Sequence, residues 1–402
     1  MSNNGNIEER LRRADWLTRP ETQRILALLD GVAGRTRVVG GIVRDTLLEL
    51  PHDGTDLDIA TELVPDEVTR RARHAGLAVY PTGIEHGTVT LRLDALTAEV
   101  TTLREDIETD GRRAVVRFGN DWGADAMRRD FTLNALYVGM DGTLFDPLHG
   151  LDDLLARRVR FIGSPEARIA EDRLRVFRFF RFSASHGNEQ LDPAGLHACA
   201  AAAGTLGGLA AERVGAEMRR MLALPSVAKT LQAMEGAGIL EFGRITLELL
   251  KRYERRATRP GLHARLALVG AEGGLERLQA MWRLSNEDVA KASAVLAGAQ
   301  LLAEMRLNEA AYRYPMALAD ALDVAAALAN WGDDARLGVV ERVQRINVPR
   351  FPIGGKELLS LGVRPGPGLG AELARLERAW IESGFTLDRQ ALREMVSNGG
   401  AR

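Results

Sequence analysis

From Val38 to about Phe145 the apolar residues fall in short runs that alternate with polar ones, the period-2 signature of half-buried strands. Strands are predicted at Arg37–Val39, Leu57–Ala60, Thr88–Leu93, Ala98–Thr102 and Ala135–Gly139, with a helix over Ile42–Leu50 between the first two. Ahead of them, residues 8–30 read as one amphipathic lead-in helix with Leu11, Leu17, Ile25, Leu28 and Leu29 on its apolar side. Residues 105–122, EDIETDGRRAVVRFGNDW, are charged and glycine-bearing, which predicts a mobile excursion. Beyond Leu151 the alternation stops. Apolar positions then recur at helical spacing to the end of the chain, interrupted at Ser164-Pro165, His186–Pro193, Gly204–Gly208, Pro225, Arg259–Gly261, Gly270–Gly274 and Asn347–Gly355, with no fixed repeat. Gly354–Gly370 reads as a helix, a Gly/Pro corner and a second helix opening. The fold class is therefore α+β, a head with a small mixed sheet followed by an all-α remainder.

Composition narrows this picture. At 402 residues the chain exceeds one ordinary domain, and 46% hydrophobic residues suffice for real cores. No run of 18 apolar residues occurs, so no membrane span is expected, and MSNNGNIEERLRR lacks the charged-then-apolar order of a secretory signal. Cys199 is the single cysteine, which excludes an intrachain disulfide and a cysteine zinc site and fits a reducing cytoplasm. A formal net charge of −2 means that any nucleic acid must be gripped by a local stripe of cations. Only Lys229, Lys251, Lys291 and Lys356 are lysines, so those cations are guanidiniums, able to bind phosphate bidentately.

The chemistry concentrates in Val38–Asp58. Gly40-Gly41 permits a sharp turn out of the first strand, and the helix that follows presents free N–H groups and Arg44 to an anion. Asp56 and Asp58 flank Leu57 in the next strand, so their carboxylates point the same way, roughly 6–7 Å apart. An isolated Asp-x-Asp reads as two solvated acids on a hairpin. Joined to the Gly-Gly-x-x-Arg-Asp turn, the pair suits divalent cations shared with a nucleotide's phosphates.

With two further segments, RRDFTLNAL (Arg128–Leu136) and EDRLRVFRFFRF (Glu171–Phe182), this stretch resembles the class II nucleotidyltransferases, which include tRNA CCA-adding enzymes and bacterial poly(A) polymerases. The resemblance implies a catalytic head at 36–150 behind a lead-in at 1–35. It also implies a neck with a nucleotide-templating helix at 151–225, and a body and tail at 226–402 that bind tRNA. It implies Mg²⁺ on Asp56 and Asp58, contacts from Gly41, Arg44 and Arg129 to the triphosphate, and Asp130 at the ribose. Asp172, Arg175, Arg178 and Arg181 would face the base. If Asp172 and Arg175 share a helical face, their acceptor and donor match the amino group and ring nitrogen of cytosine and adenine, and mismatch uracil and guanine. Glu99 is a candidate third carboxylate, or equally a strand-edge acid. Arg213, Arg219, Arg220, Lys251, Arg252, Arg255, Arg256 and Arg259 are candidate RNA contacts, with Tyr253 stacking or packing among them.

The implied activity is addition of CCA to tRNA 3′ ends from CTP and ATP, with tRNA as partner and no role for DNA or a membrane. The segment YPTGIEHGTVTL resembles CCA-adding members more than poly(A) polymerases. Poly(A) synthesis, partial CC or A addition, and a non-catalytic tRNA-binding protein are the alternatives. Intact Asp56, Asp58, Asp172 and Arg175 speak against the last. A dinucleotide-dependent dehydrogenase is disfavoured because the turn lacks G-x-G-x-x-G. No histidine-aspartate phosphohydrolase pair occurs in the helical half.

Overall fold

A computed structural model describes residues 3–84, 87–110 and 113–396. The chain divides into two compact units, one of Met1–Glu217 with Thr230–Glu241 and one of Met218–Lys229 with Phe242–Arg402.

Among the described residues the strands all fall in the first unit: β1 (Thr36–Val39), β2 (Asp56–Thr61), β3 (Ala78–Gly83), β4 (Thr88–Leu93), β5 (Leu96–Thr102), β6 (Arg104–Asp110), β7 (Arg113–Phe118), β8 (Tyr137–Val138) and β9 (Leu144–Phe145). Seven form one sheet in the order β3-β4-β5-β2-β1-β8-β9, antiparallel except for the parallel pair β2–β5. The sheet is thus mixed, as the sequence predicts. Its inner side packs Val39, Ala60, Leu103, Ala135 and Tyr137 with Trp122 and Ala126 of the helix Trp122–Met127. Behind this lies a cluster of phenylalanines. Phe131 is 4.8 Å from Phe161, which stacks on Phe179 at 5.4 Å, so the helix Arg175–His186 is buried by its aromatics.

One expectation is corrected here. The lead-in is not one helix but three, Asn3–Arg12, Asp15–Thr18 and Pro20–Leu28. Pro20 has no N–H to donate and serves as the first residue of the third helix, with Arg19 extended before it. The breaks let Trp16 turn inward and donate to Thr46 Oγ1 at 2.8 Å. The excursion predicted at residues 105–122 contains regular structure: most of it forms the hairpin β6–β7, and Trp122 is buried at the start of its helix. The β-branched Val115 and Val116 and the aromatic Phe118 favour a strand despite the charge of their flanks. The hairpin's turn at Gly111-Arg112, and Glu85-His86 within YPTGIEHGTVTL, lie outside the described residues.

The second unit is helical. The helices Asn286–Ala303 and Leu318–Leu328 approach closely through small residues, since a Cβ on Gly298 would sit 3.2 Å from the Ala321 methyl. The helices Gly355–Ser360 and Pro367–Glu382 meet at the predicted Gly/Pro corner, where Leu358, Leu376 and Trp380 form a core. Among the described residues no helix is long and apolar enough to cross a membrane.

Candidate active site

A cavity of about 470 Å³ in the first unit is lined by Gly40, Gly41, Arg44, Asp58, Arg128, Arg129, Asp130, Asn134, Asp172, Arg175, Arg178 and Phe182. Residues from all three sequence motifs therefore face one space, although they lie up to 142 positions apart.

The glycine turn forms its rim. Gly40 has φ 82° and ψ −128°, a conformation closed to side-chain-bearing residues, and it swings the chain from β1 into the helix Gly41–Leu47. A Cβ on Gly40 would lie 3.6 Å from Asp58 Oδ2, and one on Gly41 would lie 3.7 Å from Arg44 Nη2. The turn therefore passes between the acid and the guanidinium. Arg44 is buried; its Nε and Nη2 grip Asp45 at 2.8 and 3.2 Å, and Nη1 donates to Asn134 Oδ1 at 2.7 Å.

Asp56 and Asp58 begin β2 on its open side while Leu57 and Ile59 point into the core. Asp58 lines the cavity, whereas Asp56, two residues earlier on the same strand face, is not among the lining residues. Glu99 lies directly opposite Asp58 in the β2–β5 register and is likewise exposed. Although its tip meets solvent, Asp58 is recessed among protein atoms. That desolvation, then the charge of Glu99 and next to it that of Asp56, raises its pKa against the pull of Arg129 and Arg44. Among the described residues no three His, Cys, Asp or Glu side chains converge tightly enough to hold a metal. Two adjacent carboxylates with phosphate oxygens completing the shell are the donor set Mg²⁺ prefers.

The cationic wall is built around a residue that sequence reasoning missed. Asp125, fully buried, receives Arg128 Nη2 at 2.6 Å, Arg129 Nη2 at 3.1 Å and the Tyr137 hydroxyl at 2.8 Å. Burial acts to raise its pKa, but the two arginines and Tyr137 outweigh it and hold the carboxyl low. Its spacing of three and four from Arg128 and Arg129 on a helix was the available signal. Asp130 is also saturated: Oδ1 accepts from Phe131 N and Asn134 Nδ2 (both 2.9 Å), and Oδ2 from Arg178 Nε (2.7 Å) and Nη2 (2.5 Å).

Asp172 and Arg175 both reach the cavity, but not as an ion pair on one helix. Asp172 lies in the break between the helices Pro165–Glu171 and Arg175–His186, with φ −148° and ψ 105°. Its Oδ1 accepts from Leu174 N at 3.0 Å, an Asx-type turn, and Oδ2 from Arg213 Nη2 at 2.7 Å. Arg175 instead turns back to Glu171 at 2.5 Å and the Arg168 carbonyl at 2.9 Å. Arg213, expected to face RNA, thus serves the cavity. Arg181, expected at the base, lies off the cavity with Nε 2.5 Å from Glu217 and its guanidinium over Phe182.

In the second unit Tyr253 packs rather than stacks: it is buried and its hydroxyl accepts from Gly261 N at 2.9 Å. Arg219 pairs with Asp288 and Lys251 with Glu248, while Arg255 and Arg259 are exposed.

Against known proteins, residues 36–160 match a family model described as the Poly A polymerase head domain. The mitochondrial CCA tRNA nucleotidyltransferase 1 of Danio rerio is 32% identical over 378 residues, 90% of this chain and 86% of that protein. A CCA-adding enzyme of Levilactobacillus brevis is 30% identical over 391 residues, 93% of this chain and 96% of the relative. The chain belongs to the CCA-adding enzyme family. A crystal structure of the Bacillus stearothermophilus CCA-adding enzyme in complex with CTP superposes with a TM-score of 0.76 at 26% identity, covering 94% of this chain and 97% of that one. The Thermotoga maritima CCA-adding enzyme complexed with tRNA, at 18% identity and a TM-score of 0.67, shares the fold. Membership in the CCA-adding enzyme family carries nucleotidyl transfer and the family's general use of a divalent metal.

Proposed function

We propose that this chain adds C, C and A in turn to the 3′ end of tRNA, using CTP and ATP and releasing pyrophosphate. The observation that carries the reading is the convergence of the glycine turn, Arg44, Arg129, Asp172 and Arg175 on one cavity beside Asp58. In this reading residues 36–150 are the catalytic head, behind a lead-in at 1–35. Residues 151–225 are the neck, and 226–402 hold the tRNA. The single, buried, unpaired Cys199 is in keeping with a cytoplasmic setting.

Asp56 and Asp58 would hold Mg²⁺. When bound, the ion neutralises triphosphate oxygens, lowers the pKa of the attacking 3′-hydroxyl and stabilises the departing pyrophosphate. The chain's own groups do the rest. The Gly41 backbone, Arg44 and Arg129 bind the triphosphate and set the α-phosphorus in line with the RNA 3′-oxygen. That oxygen forms the new bond as the link to the β-phosphate breaks. Asp172 has one bond on each oxygen and so keeps acceptor capacity for an exocyclic amino group. Arg175 commits Nη1 to Glu171 and the Arg168 carbonyl, while Nη2 has one 3.4 Å bond to the Arg128 carbonyl and so keeps a donor for the ring nitrogen. Cytosine and adenine satisfy both; uracil and guanine leave buried polar groups unpaired. Asp130 acts mainly by holding Arg178, since its own acceptors are filled.

The test is extension of tRNA lacking its 3′ trinucleotide by purified protein with CTP, ATP and Mg²⁺. The expected product is three nucleotides longer, and growth then stops. A long adenosine ladder assigns the chain to poly(A) synthesis, and no extension assigns it to binding alone.

A further inference from the structure

Asp45 and His186 have no part in the chemistry above, yet they are bonded to each other across 141 residues of chain. Asp45 follows Arg44 in the helix Gly41–Leu47, and His186 is the last residue of the helix Arg175–His186. Consecutive residues on a helix do not face each other. The Arg44–Asp45 fork is therefore not a geometry that the helix maintains unaided; both side chains must lean together and be held there.

His186 supplies the hold. It is buried, with 7% of its surface exposed, and its Nε2 lies 3.0 Å from the same Asp45 oxygen that receives Arg44 Nε. Burial, with the nearby charges of Arg44 and Arg181, keeps its pKa low against the opposing influence of Asp45, so the ring is neutral near pH 7. An ionised Asp45 can only accept, which puts the proton on Nε2 and leaves Nδ1 to accept from Ser185 Oγ at 2.6 Å. Phe182 adds a second connection, with its ring 5.5 Å from that of His186 and 5.1 Å from the Arg44 guanidinium. With Asn134 on Nη1, three of the five Arg44 donors are fixed, and one on each terminal nitrogen remains.

We infer that His186 is a positioning residue for triphosphate recognition: through Asp45 it aims the two spare Arg44 donors, and it ties that aim to the helix that carries Arg175. The inference rests on the nucleotide-binding reading of the cavity. It makes the phosphate grip and the base-reading helix one mechanical unit, so that Arg44 cannot swing away while Arg175 keeps its place.

The experiment compares wild type with His186→Phe, which keeps ring bulk but deletes the donor, and His186→Gln, whose amide can place an N–H where Nε2 stood. In His186→Phe, KM for CTP and for ATP rises roughly tenfold, the size of one hydrogen bond to a charged group, with kcat within about twofold. Competitive inhibition by cytidine, which has no phosphate, is unchanged, and His186→Gln recovers most of the loss. Asp45→Asn gives the same pattern and carries the test if His186→Phe does not fold. An unchanged KM, an equal loss for CTP and cytidine, or no recovery with Gln overturns the inference. Wild-type extension of tRNA and its loss in Asp58→Ala are measured alongside. If both hold, a negative result at His186 removes only this inference; if wild type extends nothing, the nucleotide reading itself falls.

Discussion

Asp130→Asn separates a structural carboxylate from a ribose contact. Every neighbour of the Asp130 side chain is a donor: Phe131 N and Asn134 Nδ2 on one oxygen, Arg178 Nε and Nη2 on the other. Whichever way an asparagine amide is turned, its NH₂ faces two donors. Breaking a buried ion pair costs about 3–5 kcal/mol. Glu217, 3.7 Å from Arg178 Nη1, still compensates part of the guanidinium charge, so about 3 kcal/mol is expected here. A two-unit chain has no single unfolding free energy. Cys199 solves this, because it is the only thiol, lies in the same unit in the helix Pro193–Ala202, and has its pKa pushed up to about 12 by burial. It reacts only when that unit opens. Labelling by a thiol reagent in mild urea should be on the order of 100-fold faster in Asp130→Asn than in wild type. Acceleration below about fivefold, together with altered preference between NTP and dNTP, would mean that Asp130 serves the ribose and not the fold.

Asp56→Ala and Asp58→Ala should each abolish nucleotide transfer while tRNA affinity, read by filter binding, stays within about twofold; activity surviving either change removes the metal assignment. Arg175→Ala should blur the preference for CTP and ATP over UTP and GTP, and Arg213→Ala should do so more weakly by releasing Asp172; unchanged misincorporation in both refutes the base-reading geometry. For Asp130 and Asp45 burial acts upward on the pKa, but Arg178 and Asn134 at one, His186 and Arg44 at the other, hold the carboxyl below its ordinary value. Their stabilisation is therefore complete above about pH 5 and is lost as pH falls through about 4 and below. Cys199 labelling should accelerate between pH 5 and 3 after correction for the reagent's own pH dependence, and Asp130→Asn should flatten that rise.

The local parts of this architecture were legible in the sequence because they are carried by neighbouring residues. A double glycine leaves a strand, two acids alternate on the next, and a helical texture begins at Leu151. What escaped was set by contacts distant in sequence. The parallel pairing of β2 with β5, which puts Glu99 against Asp58, leaves no mark on either strand alone. Spacing of three placed Asp172 and Arg175 on one helix, but the Leu174 amide takes Asp172 as a turn partner and ends the helix there. Nothing near Arg213 in sequence announces its bond to Asp172, 41 residues away.

The same structure explains how a chain of net charge −2 can present so cationic a cavity. Five arginines line it, and each has an acid on its flank: Asp45 for Arg44, Asp125 for Arg128 and Arg129, Glu171 for Arg175, and Asp130 with Glu217 for Arg178. Counting charges, these five acids cancel the five guanidiniums. Counting donors, they do not, because an arginine has five N–H groups and a carboxylate occupies only one or two. The acids fix the planes of the guanidiniums before the ligand arrives, so less side-chain freedom is lost on binding. Recognition of a triphosphate then depends on how the arginines are held more than on how many there are. Removing a tethering acid should therefore weaken nucleotide binding even though it makes the cavity more positive, whereas a site working by bulk charge alone would bind more tightly.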